Sequence, residues 1–238
     1  MANRRDSLPF LYLVPNMVTI LGLCAGLTAV RYSFDERFAL AAGLIVFAAV
    51  IDGFDGLIAR RLRATSDFGA ELDSLSDFVC FGVAPALVTF RFAMDAQSGT
   101  AWVLSLVFAI CACLRLARFN VMRDEPDAPN HFVGVPAPAG AGLALMPVFA
   151  TFAGIADFSD APMLVAIWLG FCGFLMISRI PTPSVKGLRI ARDKVAYVMI
   201  VAALLIGLVV TAFWLLMVAL GAIYLVVVIA QAIRHRRF

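Results

Sequence analysis

Eight long apolar stretches dominate this sequence of 238 residues. Each runs for about 18 residues or more, and about 20 apolar residues are enough for one helical crossing of a bilayer. Charged residues make up only 15% of the chain, against about 25% in an ordinary soluble domain, so a water-soluble fold is excluded. We therefore predict an all-α, polytopic membrane helix bundle with about eight transmembrane helices. The predicted spans are about 16–33, 37–60, 67–90, 99–122, 137–156, 161–180, 194–211 and 212–233.

These spans leave little of the chain for anything besides one membrane domain. We predict a cytoplasmic or interfacial N-terminal segment over 1–15, a single transmembrane domain over 16–233 and a basic cytoplasmic tail over 234–238. The first apolar stretch lacks a clear small-x-small cleavage site, so we expect it to be retained as the first span. The net charge of +3 is too small and too dispersed for a nucleic-acid partner.

The positions of Lys and Arg indicate an orientation, because cytoplasmic loops of membrane proteins are rich in these residues. With eight crossings, all but three of the 19 basic residues fall at the termini or after an even-numbered span. The exceptions are Arg31, Arg37 and Arg91. This distribution predicts a multi-pass protein of the cell's inner, cytoplasmic membrane with both termini in the cytoplasm.

Four aspartates lie inside the second and third predicted spans: Asp52, Asp55, Asp73 and Asp77. Acidic residues are costly in a bilayer and usually mark function, and spacings of three and four place each pair on one helix face. Facing carboxylates repel, so either some are protonated or cations neutralise them. The alternative for any single aspartate is an ion pair with a neighbouring arginine or a helix cap at the membrane edge. Two Mg²⁺ would balance all four charges. Asp52 lies about 12 Å along the helix from Arg60, just inside the cytoplasmic leaflet.

The aspartates belong to a longer pattern. The residues from Asp52 to Arg60 read DGFDGLIAR, and those from Gly69 to Asp77 read GAELDSLSD. Together they match DxxDGxxAR-x8-GxxxDxxxD, the signature of the CDP-alcohol phosphotransferase family, which this chain resembles from about residue 14 to 194. Members of that family are membrane enzymes that move a phosphatidyl or similar group from a CDP-alcohol to a second alcohol and release CMP.

The resemblance implies a role for each matched position. The four aspartates would hold two divalent ions, Mg²⁺ or Mn²⁺, and Asp77 would also act as the general base. Because a carboxylate that binds a metal tightly is a poor base, we expect Asp77 to be the more loosely coordinated member. The residues implied in binding CDP-diacylglycerol are Asn16, Thr19, Gly56, Ala59, Arg60, Ser66 and Gly69.

Three further segments indicate the acceptor alcohol. Leu114–Asn120 resembles the RLARFN segment of the phosphatidylserine synthase branch, and 132–139 and 178–186 resemble two later segments of that branch. Arg115 or Arg118 would bind the carboxylate of serine, and Asn120 or a carbonyl would bind its ammonium group. Alternatively, the arginines anchor the chain to lipid phosphates or hold the acidic cluster in place. The function expected is phosphatidyl transfer from CDP-diacylglycerol to L-serine by direct attack, giving phosphatidylserine and CMP.

Two other functions stay open from the sequence. The same chemistry would serve a different acceptor, such as glycerol 3-phosphate, an inositol phosphate or choline. A cation transporter would also use acidic residues inside spans, although transporter sites tend to lie near the midplane between internal repeats, and no repeat is visible here. The family resemblance also implies a homodimer.

Overall fold

The computed structural model describes residues 13–62, 66–93, 99–123, 132–178, 180–182 and 195–235. Within these ranges it describes only the backbone of residues 55–62, 123, 132–133, 181–182, 195–198, 202 and 235. The helices are α1 (Val14–Phe34), α2 (Phe38–Leu62), α3 (Asp67–Asp77), α4 (Ala84–Ala93), α5 (Gly99–Arg123), α6 (Ala137–Ala144), α7 (Met146–Phe152), α8 (Pro162–Ile177), α9 (Val195–Thr211) and α10 (Phe213–His235). A π-helical segment, Phe78–Val83, joins α3 to α4, and two short strands, β1 (Phe132–Val133) and β2 (Pro181–Thr182), complete the described elements.

The prediction of an all-α fold is confirmed, since the described chain is helical apart from its turns and the two-residue strands. Among the residues that the structure describes, four helical stretches are long and apolar enough to cross a membrane: Val14–Phe34, Asp67–Ala93, Gly99–Met122 and Phe213–Arg234. Shorter apolar helices cover Phe38–Phe54, Pro162–Ile177 and Met199–Thr211. Most of the expected N-terminal segment and most of the basic tail lie outside the described residues, and α1 begins at Val14, within the expected segment.

The fifth predicted span is divided into α6 and α7 at Leu145. Pro147 follows two residues later and has no N–H to donate to the carbonyl four residues before it, that of Leu143. Trp168 of α8 donates its indole N–H to that carbonyl at 2.7 Å. A carbonyl freed by proline inside a membrane bundle needs such a donor, because no water is available there. The break is therefore compensated by a neighbouring helix.

The third predicted span is one long rod in which α3, the π-helical segment and α4 follow each other without a turn. The N–H of Ala84 donates to the carbonyl of Val79, five residues earlier, which is the π pattern. In a regular α-helix the ring of Pro85 would collide with the carbonyl of Phe81. The wider turn just before Pro85 relieves this collision and places one extra residue in the helix.

One face of α1 consists mainly of small residues and packs against α2, α3 and the π-helical segment. The buried residues of α1 are Pro15, Thr19, Gly22, Ala25, Gly26, Ala29 and Ser33. Small residues at this spacing let helix backbones approach closely, which is the usual basis of packing in a membrane. A Cβ on Gly26 would lie 2.7 Å from Cys80 Sγ, so the backbones of α1 and the π-helical segment are nearly in contact.

The two strands join the segment before α6 to the segment after α8. Phe132 pairs with Thr182 and Val133 with Pro181 in antiparallel register, and the N–H of Gly134 donates to the carbonyl of Ile180 at 2.9 Å. Gly134 has a φ of 85°, which a glycine adopts without strain. The pairing brings together the two later segments that resemble the phosphatidylserine synthase branch.

Candidate active site

Three of the four predicted aspartates meet between α2 and α3. Asp52, Asp73 and Asp77 each offer a carboxylate oxygen, and these oxygens lie within 4.8 Å of one another. All three side chains are half-buried, and those of Asp52 and Asp77 are within hydrogen-bonding reach of each other. Because Asp73 and Asp77 are four residues apart, they lie on one face of α3, and both face Asp52.

Helix α1 forms one wall of this acidic cluster. Thr19 and Gly22 line the same small pocket as the three aspartates. Ser76 donates to the carbonyl of Thr19 at 3.4 Å, and the thiol of Cys80 donates to the carbonyl of Gly22 at 3.3 Å. These bonds flank Asp77 in sequence and hold its helix against α1, so they position the carboxylate.

A second group of predicted residues meets at the start of α3. Ser66 caps this helix, and its hydroxyl accepts the N–H of Gly69 at 3.0 Å. A Cβ on Gly69 would lie 2.8 Å from Asn16 Oδ1 and 3.1 Å from Ser66 Oγ. Gly69 therefore allows the polar side chains of Asn16 and Ser66 to approach the backbone of α3.

Helix α5 reaches the same region through Asn120. Its Nδ2 donates to Ser74 Oγ at 3.0 Å, and the Ser74 hydroxyl is also within reach of the Ala70 carbonyl at 3.1 Å. Ser74 lies between Asp73 and Asp77 on α3. The bond fixes the end of α5 beside the acidic cluster.

The two predicted acceptor-binding arginines have different surroundings. Arg115 is half-buried and interacts electrostatically with both Asp77 and Tyr224. Arg118 donates from its Nη1 to the carbonyl of Ile177 at 3.1 Å, at the end of α8. A cation there satisfies a terminal carbonyl and the negative end of the helix dipole. Arg115 therefore faces the acidic cluster, whereas Arg118 contacts the end of another helix.

The first string of the signature, Asp52–Arg60, is only partly described. Asp55, Gly56, Ala59 and Arg60 lie in the last turns of α2, but their side chains fall outside the described residues. Their predicted contacts with metal and donor stay predictions.

The described carboxylates fit a divalent cation. Oxygen ligands sit about 2.0–2.6 Å from Mg²⁺ or Ca²⁺, so oxygens on one ion lie within about 5 Å of each other. The three aspartates satisfy this condition with oxygens within 4.8 Å. Hard oxygen donors in this arrangement suit Mg²⁺ or Mn²⁺.

A comparison with known families decides the class. The family description CDP-alcohol phosphatidyltransferase matches residues 12–176, a range that contains α1 to α7, α8 except its last residue, and the acidic cluster. The chain belongs to the CDP-alcohol phosphatidyltransferase family. As a CDP-alcohol phosphatidyltransferase rich in long apolar helices, it is a membrane protein.

Several curated relatives within the CDP-alcohol phosphatidyltransferases are named CDP-diacylglycerol–serine O-phosphatidyltransferase. The protein of that name from Mycobacterium leprae is 37% identical over 90% of this chain and 73% of its own length. That from Helicobacter pylori J99 is 35% identical over 74% of each chain. That from Bacillus subtilis is 36% identical over 73% of this chain and 91% of its own length.

Sequence reasoning missed three residues that shape this phosphatidyltransferase site: Ser74, Ser76 and Tyr224. Ser74 and Ser76 lie between Asp73 and Asp77, and polar residues beside intramembrane aspartates were a usable signal. Tyr224 lies in an apolar helix far along the chain, and no motif marks it.

Proposed function

We propose that the chain transfers the phosphatidyl group of CDP-diacylglycerol to the hydroxyl of L-serine, giving phosphatidylserine and CMP. The observation that carries this proposal is the likeness to serine O-phosphatidyltransferases from three bacterial genera over most of the chain. The acidic cluster supports the donor half of the reaction, because a diphosphate needs concentrated positive charge and the three aspartates fit a divalent ion.

The reaction proceeds by one displacement at phosphorus. The serine oxygen attacks the phosphorus that carries the diacylglycerol, a new P–O bond forms, and the bond to the bridging diphosphate oxygen breaks. CMP leaves with the electron pair of that bond. The proton of the serine hydroxyl passes to the carboxylate of Asp77, which we assign as the general base.

The bound metal ions would supply positive charge to the diphosphate and to the leaving CMP. Asp52 and Asp73 would hold these ions, with Asp55 as a further ligand and Asp77 as the weakest. Asn16, Thr19, Ser66 and Gly69 would border the donor, together with Gly56, Ala59 and Arg60 at the end of α2.

Arg115 is the best-placed group for the serine carboxylate. Its interaction with Asp77 puts a positive charge beside the proposed base, so a serine bound through its carboxylate would present its hydroxyl to that base. Asn120 is held beside the cluster by its hydrogen bond to Ser74. Its amide oxygen would accept a hydrogen bond from the serine ammonium group. Arg118 is less well placed for the serine carboxylate, because its guanidinium already donates to the Ile177 carbonyl.

We also propose a membrane topology. Eight spans with both termini in the cytoplasm would place all but three of the Lys and Arg residues on the cytoplasmic side. The protein would then reside in the inner membrane, with residues 16–233 as one catalytic domain whose site opens to the cytoplasm. We propose a homodimer from the family relationship.

The direct test measures CMP release from CDP-diacylglycerol by the purified, detergent-solubilised protein with Mg²⁺ or Mn²⁺. We expect release to depend on serine and to fail with glycerol 3-phosphate, inositol phosphate or choline. Release that depends on another acceptor instead would overturn the serine assignment. Asp77→Asn should abolish turnover. If it kept near-normal turnover while Asp52→Asn did not, the base assignment would be wrong.

A second test addresses the serine site. Arg115→Lys keeps the charge but loses the planar pair of donors, so the apparent KM for serine should rise by about tenfold, the equivalent of one charge-assisted hydrogen bond. Arg118→Lys is the matched variant and should raise this KM less. An unchanged KM for serine in Arg115→Lys would contradict the carboxylate contact.

A further inference from the structure

Ser74 lies next to the acidic cluster but has no part in the chemistry described so far. It directly follows Asp73 on α3 and precedes Asp77 by three residues, so it lies at the edge of the helix face that carries both aspartates. Its side chain is half-buried and contacts Asn120 near the end of α5. Ser74 thus connects the helix of the acidic cluster with the helix that carries Arg115.

The hydroxyl of Ser74 has one hydrogen and more than one group that can accept it. Asn120 Nδ2 donates to Ser74 Oγ at 3.0 Å. The carbonyl oxygen of Ala70 lies 3.1 Å from the same Oγ, and Asn120 Oδ1 lies 3.2 Å from it. Because a serine hydroxyl carries a single hydrogen and two lone pairs, it donates to only one of these two acceptors at a time.

The two acceptors differ in how much they need this hydrogen. The Ala70 carbonyl lies inside α3, where regular helical pairing already gives it the backbone N–H of Ser74. Asn120 Oδ1 receives no other hydrogen bond from the residues that the structure describes. The Ser74 hydrogen can therefore turn to the carbonyl, a bond that serines in helices often make, as soon as another donor reaches Asn120 Oδ1.

The order of contacts along α3 and α5 indicates which donor that is. The two helices run in opposite directions, since Ser74 contacts Asn120 and the later Asp77 interacts electrostatically with the earlier Arg115. The second pair lies deeper than the first by about 4.5 Å along α3 and about 7.5 Å along α5. A small zwitterion whose carboxylate binds the Arg115 guanidinium therefore has its ammonium on the side of the Asn120 oxygen, away from the like charge.

We propose that Ser74 is a positioning residue of the acceptor site, which holds the amide of Asn120 so that its oxygen receives the ammonium group of the acceptor amino acid. Before the acceptor binds, the Ser74 hydroxyl donates to Asn120 Oδ1. When the ammonium reaches this oxygen, the hydroxyl turns to the Ala70 carbonyl and still accepts from Asn120 Nδ2. This inference rests on the proposed function, because it takes the acceptor to be L-serine.

The hydroxyl matters because an amide group turns easily about its last bond. That torsion is broad and roughly two-fold, so the oxygen and nitrogen of an untethered Asn120 exchange places at little cost. In the turned state the NH₂ group faces the ammonium, and two donors oppose each other. Ser74 therefore determines how strongly the site prefers acceptors that carry an ammonium group.

The first experiment removes the hydroxyl. Ser74→Ala is assayed for CMP release with varied L-serine, alone and with 3-hydroxypropionate as a competitor, which keeps the hydroxyl and carboxylate of serine but lacks the ammonium. The matched control is Ser105→Ala, because Ser105 is buried in α5 and also donates to the carbonyl four residues earlier, that of Ala101, at 3.0 Å. Ser105 lies about 15 Å from Arg115 along the helix.

We expect Ser74→Ala to raise the KM for serine about three- to tenfold, the value of one neutral hydrogen bond. The kcat, the KM for the lipid donor and the inhibition constant of 3-hydroxypropionate should stay unchanged, because none of them depends on the ammonium contact. Ser105→Ala should change none of these values. A general loosening of α3 would weaken serine and 3-hydroxypropionate equally, so equal effects on both, or an unchanged KM for serine, would overturn the assignment.

The second experiment tests whether Ser74 acts through Asn120. Asn120→Ala removes the amide, and Ser74→Ala is then added to the same chain. The double variant should show the KM for serine of Asn120→Ala alone, because the hydroxyl has no amide left to position. Effects of the two substitutions that multiply would show that Ser74 acts on another group and would refute the proposal.

The wild type separates this inference from the proposed function. If the wild type releases no CMP with serine, the proposed function fails, and the inference that rests on it fails as well. If the wild type uses serine with the same KM as Ser74→Ala, the proposed function stands and the assignment of Ser74 alone is refuted.

Discussion

Adding a single methyl group at Gly26 tests how closely α1 must approach the site helix. A Cβ there would lie 2.7 Å from Cys80 Sγ and 3.2 Å from Cys80 Cα. Carbon atoms in normal contact are about 3.5–4.0 Å apart, so the backbone of the π-helical segment has to move by a few tenths of an ångström. Overpacking of this kind costs about 1–3 kcal/mol, and the higher helix propensity of Ala returns about 0.5–1 kcal/mol.

We therefore expect Gly26→Ala to destabilise the protein by up to about 2 kcal/mol. The free energy of unfolding is measured in mixed micelles by titration with a denaturing detergent. CMP release should also fall, because Cys80 follows Asp77 by three residues and the displacement reaches the carboxylate.

Gly43→Ala is the matched control, since a Cβ on Gly43 meets nothing within 4 Å. It should keep both stability and activity. Combining Gly26→Ala with Cys80→Ala removes the closer of the two contacts, so the double variant should recover part of the loss. If Gly26→Ala behaves like Gly43→Ala, the close approach of the two helices does not exist as described.

The remaining predictions concern the acidic cluster and the broken helix. Asp52→Asn should lower metal-dependent CMP release by about 100-fold or more, because it removes a ligand of the cation that would offset the charge of the reacting phosphates. Asp157→Asn, exposed in the loop before α8, should retain full activity, and equal effects of the two substitutions would argue against a metal site. Trp168→Phe should reduce the free energy of unfolding by about 1–3 kcal/mol, because the Leu143 carbonyl loses its donor. In a Pro147→Ala background residue 147 supplies an N–H to the same carbonyl, so the cost of Trp168→Phe should shrink, and an unchanged cost would contradict the compensation.

Much of the helical layout was predictable because hydropathy acts locally. The helices Val14–Phe34 and Gly99–Arg123 begin and end within two residues of their predicted spans. The meeting of Asp52 with Asp73 and Asp77 followed from helical spacing together with the rule that intramembrane carboxylates need partners.

Other features depend on contacts between distant parts of the chain. Pro147 lies inside a span predicted as continuous, and only the tertiary position of Trp168 shows how the carbonyl freed by the break is satisfied. Pairing of Val133 with Pro181 joins segments nearly 50 residues apart, and no local pattern specifies such a partner. Tyr224 looks like an ordinary aromatic residue of an apolar helix until the fold places it beside Arg115.

The π-helical segment before Pro85 changes the rotational register of the continuous helix that runs from α3 to α4. Its extra residue rotates everything from Ala84 onwards relative to the turns that carry Asp73 and Asp77. The two halves therefore present different faces to the bundle: α3 packs mainly on α1, whereas α4 packs on α1, α2, α5 and α8. A systematic substitution scan along the rod should show a period of 3.6 residues on each side of the π-helical segment, with the two series out of step by one residue.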